Sequence, residues 1–401
     1  MSNTSESVSV SEGGEVMATQ NIKAYTSFDE MGLPDNLLRG IYGYGFEKPS
    51  QIQEKAIVPI KDGIDILAQA QSGTGKTGTF TIGSLCRVDP SLKRVQVLVL
   101  VPVRELAQQI EKVVKAISSH MGISVYSATG GTPLREDIRA LEKGCQYLIG
   151  TPGRIYDLIN RNVLARDQVR VLIMDEADQM LEDRFKEQVR CILEKGFPKE
   201  TQVALFSATM PEEVIEVADN ILRNPVRILI NPEDVPLDGI KQYIVELERE
   251  EFKYEVLCDL YQQLNINQAL IYCNKRQRAE WLAEKMSTQG FPLSFIHGEM
   301  EVEERKRRMN DFIRGSVRVM ICTDMLSRGI DVQQVSLVIN YELPTQRESY
   351  IHRIGRSGRF GRKGVTINLV CPDELRQKDE IEKYYSIKIE PLPNDLAKIP
   401  L

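Results

Sequence analysis

Ile64-Asp-Ile-Leu-Ala-Gln-Ala-Gln-Ser-Gly-Thr-Gly-Lys-Thr77 is the stretch on which the fold turns. Ile64–Ala68 is apolar enough for a buried strand. Ala70 to Thr77 then matches a phosphate-binding loop, with Ala70 where the general pattern carries its first glycine. Gly73 and Gly75 let the backbone turn, so that N–H groups of the Ser72–Thr74 segment face phosphate oxygens. A helix starting after the loop adds its positive dipole end. Lys76 supplies charge to the β- and γ-phosphates, and the Thr77 hydroxyl is a magnesium ligand. The predicted cofactors are therefore a nucleoside triphosphate and Mg2+.

Working outward, the apolar run Val169–Met174 ends in Asp175-Glu-Ala-Asp178. A carboxylate at the C-terminal end of such a strand is where a second magnesium contact belongs. Asp175 is the expected metal residue, and Glu176 is expected to orient or deprotonate the attacking water. As an isolated tetrapeptide this is a weak motif; its place after an apolar strand gives it weight.

Further runs repeat the pattern. Val95–Val101, Ser124–Ser127, Tyr147–Gly150 and Val203–Ser207 read as buried strands, with amphipathic helices between them such as Arg104–Ser119. Continuous apolar strands alternating with helices imply a parallel sheet covered on both faces. The alternation restarts with Gln268–Cys273, Leu293–His297, Val317–Thr323, Ser336–Asn340 and Gly364–Leu369. The polar stretch Asn231-Pro-Glu-Asp-Val-Pro-Leu-Asp-Gly239, with its two prolines, separates the sets. The reading is α/β: a disordered tail over 1–24, a first domain over 25–232, a linker over 233–239 and a second domain over 240–401.

The chain has 401 residues and a formal net charge of -6, which excludes a globally basic nucleic-acid binder. Residues 305–363 nevertheless hold 13 basic and 5 acidic side chains. A solvated helix face explains Arg305-Lys-Arg-Arg308 as well as a nucleic-acid stripe does. Seven scattered cysteines without a C-x-x-C pair suit reduced thiols. No run reaches the length of a membrane helix, and the Ser- and Glu-rich first residues lack a signal-peptide core.

The loop, followed by Asp175-Glu-Ala-Asp178, resembles the DEAD-box RNA helicases, and the resemblance spans about residues 25–395. It implies two tandem RecA-like domains and ATP as the nucleotide. It also implies that Phe28 stacks on adenine while the Gln53 amide, in Gly45-Phe-Glu-Lys-Pro-Ser-Gln-Ile-Gln53, reads its edge. Pro102-Val-Arg-Glu-Leu-Ala107, Gly130-Gly131 and Thr151-Pro-Gly-Arg154 resemble the family's RNA-binding motifs. The residues implied on RNA are Pro102, Arg104, Gly130, Gly131, Thr151, Gly153 and Arg154, with Asn274, Gly298 and Thr323 from the second domain. Contacts of this kind hold backbone and sugar and read no sequence.

Ser207-Ala-Thr209 resembles the motif that couples hydrolysis to strand separation, with Asp178 as the partner of its hydroxyls; as an isolated fragment it also reads as a helix N-cap ahead of Pro211. In His352-Arg-Ile-Gly-Arg-Ser-Gly-Arg359, the spacing of Arg356 and Arg359 puts both on one side of a helical turn, within reach of a γ-phosphate from the opposite domain. The resemblance gives Asp331 a contact to ribose or to these arginines, and His352 a coupling role toward the first domain. Three positions depart from the family: Val103 for a usual Thr, Val302 for a common Gln, and Ser327 for a usual Ala. Val103 removes one hydrogen bond expected on the RNA side, and Val302 loses a polar contact that bears either on RNA grip or on local packing.

Within the family, Asn36–Tyr42, Gly329–Asn340 and Phe360–Gly364 resemble the translation initiation factor 4A group. That implies local unwinding of mRNA leaders by a cytoplasmic, monomeric enzyme. The implied partners are an initiation factor 4G-like scaffold and an RNA-binding stimulatory factor, with no membrane. The alternative is an ATP-gated RNA clamp like the nuclear exon-junction paralogue. A third reading, a DNA translocase, predicts equal stimulation by DNA.

Overall fold

The computed structural model describes residues 16–18, 22–70, 73–181, 183–230, 239–326, 335–357, 364–396 and 399. The first sheet contains β1 (Val16–Ala18), β2 (Ile66–Gln69), β3 (Val97–Leu100), β4 (Val125–Ala128), β5 (Tyr147–Gly150), β6 (Val171–Asp175), β7 (Gln202–Ser207) and β8 (Val226–Ile230). Its order is β1-β8-β2-β7-β6-β3-β5-β4. All pairs are parallel except β1 against β8.

The second sheet contains β9 (Ile240–Glu246), β10 (Ala269–Tyr272), β11 (Ser294–Ile296), β12 (Val319–Cys322), β13 (Leu337–Asn340), β14 (Gly364–Val370) and β15 (Glu390–Pro391). Its order, parallel throughout, is β11-β12-β10-β13-β14-β9-β15.

The central strands are buried along their whole length because helices cover both faces. The helix Arg104–Ile117 shows how: Leu106, Ala107, Ile110, Val114 and Ile117 form its buried stripe. Truncating Ile110 to Ala would cost about 2–5 kcal/mol. This is the expected pair of tandem α/β domains of RecA-like form.

Every expected strand is present within two residues of its expected ends. Four strands went unread. Two, β8 and β9, flank the linker; β15 is very short, and β1 lies within the stretch expected to be disordered. Residues 16–18 instead pair with 228–230 at the sheet edge. The linker residues 233–238 lie outside the described residues. Among the described residues no helix is long and apolar enough to cross a membrane. All seven cysteines are free thiols.

Sheet order places the chemistry. Register sets Gln69 beside Ser207 and Phe206 beside Asp175. The loop after β2, the acidic motif after β6 and Ser207–Thr209 after β7 therefore leave the same sheet end. In the second sheet Tyr272 lies beside Cys322 and Asn340, gathering the residues that follow those strands.

Candidate nucleotide and RNA site between the domains

The loop after β2 leaves with Ala70 N–H donating to the Ser207 carbonyl at 2.9 Å. Gly73 and Gly75 hold φ of +89° and +105°, values that suit only glycine, and the helix Lys76–Leu85 begins at once. Ser72 lies outside the described residues. Lys76 is 5% exposed, and its Nζ lies 3.3 Å from Glu176 Oε1 and 4.0 Å from Asp175 Oδ1.

Burial raises the Asp175 carboxyl to about 7; Lys76 partly offsets this and Glu176 adds to it. Glu176 N–H donates to Asp175 Oδ1 at 3.0 Å. Glu176 itself adopts φ +56° and ψ +51°, a left-handed conformation that a non-glycine residue holds only under constraint.

This cluster fits ATP and Mg2+. A buried ammonium and two carboxylates meet at the start of the helix that follows the loop. No side chain would fit on that loop from beneath: a Cβ built at Gly75 would lie 2.7 Å from Ser50 Oγ and 2.9 Å from Gln53 Nε2.

Asp178 is the junction. Its Oδ1 accepts from Ser207 Oγ at 2.7 Å, and its Oδ2 accepts from Thr209 Oγ1 at 2.7 Å. His352 Nε2 reaches the same Oδ2 at 2.9 Å from the second domain. All four side chains are buried. The four residues expected to couple the domains are thus brought together, and the N-cap alternative for Ser207 falls away. Arg356 is also buried, on the same side, with Nε donating to the His352 carbonyl at 3.2 Å. Arg359, Asp331 and Ser327 lie outside the described residues.

The adenine-side expectation needs correcting. Phe28 is fully buried, stacked on Phe46 with centroids 6.4 Å apart and edge-on to Tyr42. It presents no face to a base. Phe46 is only partly buried, and its ring covers the start of the loop helix, within 3.1 Å of a Cβ built at Gly78. Gln53 is nearly buried: Oε1 accepts from Ser50 N–H at 2.9 Å and Nε2 donates to the Gly75 carbonyl at 3.3 Å. Its amide therefore braces the phosphate loop directly.

On the side expected to meet RNA the arginines act as struts. The Arg104 guanidinium donates to the Gly130 carbonyl. Arg154 pairs with fully buried Asp137 and donates to the Thr132 carbonyl at 2.7 Å. These bonds fix the Gly130-Gly131 turn beside Thr151, which caps the helix Pro152–Asn160 containing Gly153. Pro102 lies two residues before the helix of Arg104, with Val103 at its N-cap.

Asn274 departs from expectation. Its Oδ1 accepts from Arg353 at 2.7 Å and its Nδ2 donates to the Leu343 carbonyl at 2.8 Å, so both ends of the amide are already used inside the domain. Gly298 is exposed, Thr323 is half-buried, and the Gly298 carbonyl accepts from Arg305 at 3.1 Å.

Two arginines escaped sequence reasoning. Arg353, fully buried, is bound by Asp324 at 2.6 Å, Asn340 and the Glu342 carbonyl. Arg305 crosses the cleft to Glu105 at 2.6 Å. Nothing in the local sequence marks either one, because each partner comes from a distant element.

The pattern of DEAD/DEAH box helicases matches residues 50–217, and that of the helicase conserved C-terminal domain matches residues 252–361. The chain belongs to the DEAD/DEAH box helicase family. The ATP-dependent RNA helicase eIF4A of Aspergillus clavatus is 53% identical over 93% of this chain and 94% of its own length. As a DEAD-box protein the chain is a helicase enzyme that binds ATP.

Among solved structures, yeast Dbp5 bound to RNA and ADP BeF3 superposes with a TM-score of 0.86 at 36% identity, covering 92% of this chain and 96% of that one. A Dbp5 variant bound to Nup159, Gle1, IP6 and ADP reaches only 0.62 at 35% identity, over 91% and 96%. The two DEAD-box domains here thus share the arrangement of the former complex, which fits the His352–Asp178 and Arg305–Glu105 contacts across the cleft.

Proposed function

We propose that this chain is an ATP-dependent RNA helicase of the eIF4A type, working in translation initiation on mRNA leaders in the cytoplasm. The observation that carries the mechanism is Asp178, bonded at once to the two hydroxyls of its own domain and to the histidine of the other. The motif that faces ATP is thereby tied to whether the cleft is closed.

ATP would supply the energy of γ-phosphate release, and Thr77 and Asp175 would hold Mg2+, which would supply charge on the phosphates. Lys76 neutralises the β- and γ-phosphate oxygens. Glu176 takes the proton of the attacking water. Arg356, with Arg359, stabilises charge on the transferred group from the second domain, a role worth about 10³–10⁵ where arginines serve it elsewhere. Gln53 holds the loop at Gly75, and Phe46 takes the adenine ring.

RNA lies across Gly130, Gly131, Thr151, Gly153, Gly298 and Thr323, with Arg104 and Arg154 bracing the turns. Closure grips one strand by its backbone, so a short duplex loses pairs; hydrolysis reopens the cleft. Relatives named eIF4A over nearly the full chain support this reading above the clamp. The partners proposed with this reading are an initiation factor 4G-like scaffold and an RNA-binding stimulatory factor.

The test measures ATP hydrolysis and strand separation of a short RNA duplex, each with and without RNA or DNA competitors. RNA-stimulated hydrolysis with ATP-dependent unwinding is expected. Equal stimulation by DNA, or RNA retention without turnover, would overturn the reading. A pull-down from the native cell that recovers exon-junction proteins and no initiation scaffold would overturn the initiation role.

A further inference from the structure

Of the two polar-to-apolar departures noted in the sequence, Val302 lies at the cleft against Gly131 of the first domain, and Val103 lies in the buried apolar cluster. Val302 opens the helix Val302–Ile313 of the second domain. A Cβ built on Gly131 of the first domain would lie 2.7 Å from Val302 Cγ2 and 2.5 Å from the Arg104 guanidinium. The valine methyl therefore sits against a position that only glycine, at φ +81°, leaves open.

One turn along the same helix face, Arg305 makes its ion pair with Glu105, both side chains largely buried. Val103, the other departure, is 9% exposed. It belongs to a continuous apolar cluster that includes Ala107 of the first domain and Met325 and Leu326 of the second, with Met300 packed against it. The rim on this side thus closes through apolar surface as well as through charge.

We propose that Val302, assisted by Val103, is a positioning residue that closes the cleft by direct apolar contact between domains, lowering the share of closure that RNA must provide. A valine offers no hydrogen bond to a phosphate or a ribose hydroxyl. What it contributes at this place goes to the opposite domain, through Gly131. The apparent affinity for RNA is the intrinsic affinity scaled by the fraction of closed protein. A contact that raises that fraction tightens RNA binding and raises RNA-free turnover without touching RNA. The inference rests on the reading of this chain as an RNA-dependent ATPase only for its kinetic readout.

The test compares wild type with Val302→Ala, Val302→Gln and Val302→Ile. Closure is read by energy transfer between dyes on the two domains, with ADP BeF3 and no RNA. Losing about one buried methyl's worth of contact shifts an equilibrium roughly four-fold.

Val302→Ala and Val302→Gln are expected to lower the closed-to-open ratio about four-fold. Val302→Ala is expected to raise the RNA concentration for half-maximal ATPase to match, with kcat at saturating RNA unchanged. Val302→Ile is expected to retain wild-type closure, and Val103→Thr to add to the loss. Unchanged closure in Val302→Ala, or a fall in saturating kcat with unchanged RNA dependence, overturns the proposal. Wild-type ATPase that ignores RNA would overturn the function above and leave the dye measurement to decide this inference alone.

Discussion

His352 Nε2 and Asp178 Oδ2 lie 2.9 Å apart, across the cleft and out of contact with solvent. The carboxylate has both oxygens committed on its own side, to Ser207 and Thr209. The histidine therefore adds the bond that joins the domains at this point. Removing it leaves a buried carboxylate short of one partner, a loss of about 1.5–3 kcal/mol. His352→Ala is expected to slow RNA-stimulated hydrolysis about ten- to hundred-fold, with the affinity of the full chain for ATP in the absence of RNA unchanged. Steady-state kinetics beside nucleotide binding decide it; equal RNA-stimulated rates would refute the coupling role.

Glu176 combines a proposed chemical role with a strained backbone. At φ +56° it occupies a region that costs a side-chain-bearing residue about 1–3 kcal/mol. Glu176→Gln is expected to abolish turnover while ATP-dependent RNA binding survives. Glu176→Gly and Glu176→Ala are also expected to be inactive, but the glycine variant should be more stable than the alanine one by about 1 kcal/mol. Urea melts of the pair measure this. An alanine variant as stable as the glycine one would mean that the backbone strain is absent in solution.

On the proposed reading Phe46 takes the base while Phe28 packs the core. Phe46→Ala is expected to weaken ATP binding about ten-fold or more, the scale of a lost base–aromatic stack. Phe28→Ala is expected to cost about 3–5 kcal/mol of stability. Phe28→Leu, closer in volume, should keep wild-type preference for adenine. Nucleotide titrations against ATP and GTP provide the check, and a Phe28→Leu variant that loses adenine preference would restore the sequence expectation.

Much of this was legible because it is local. The fully apolar Tyr147–Gly150 reads as a buried strand, and Gly73 and Gly75 before Lys76, set between a buried strand and a helix, mark a phosphate loop. Val226–Ile230 and Ile240–Glu246 were harder, since charged or polar residues interrupt both and the linker between them draws the eye.

The pairings were the least legible. Arg305 reads as one more cation in a basic run until Glu105 is seen opposite, and Asn274 looks available until Arg353 and the Leu343 carbonyl fill its amide. Taken alone, Phe28 reads as a core aromatic, and only the family resemblance turns it toward the base. Its burial follows from Phe46 and Tyr42, which the fold stacks around it.

Asp175 gives a pH signature. Burial lifts its carboxyl from an ordinary value of 3.8 to about 7 in the free protein. Between those values the folded state binds a proton that the unfolded chain releases. The stability contributed by this group is therefore complete below about 4 and is lost as pH rises through about 7.

A magnesium ligand must be ionised, so loading the site at neutral pH releases that proton. Asp175→Asn cannot titrate. Its nucleotide-free form is expected to lose less stability between pH 5 and pH 8 than wild type does, the interval being chosen from the linkage above. Urea midpoints of both proteins across the interval measure the difference. Calorimetry of Mg-ATP binding in buffers of different ionisation heat measures the released proton. Parallel pH profiles for the two proteins would mean that Asp175 is already ionised when the site is empty, with Lys76 holding it so.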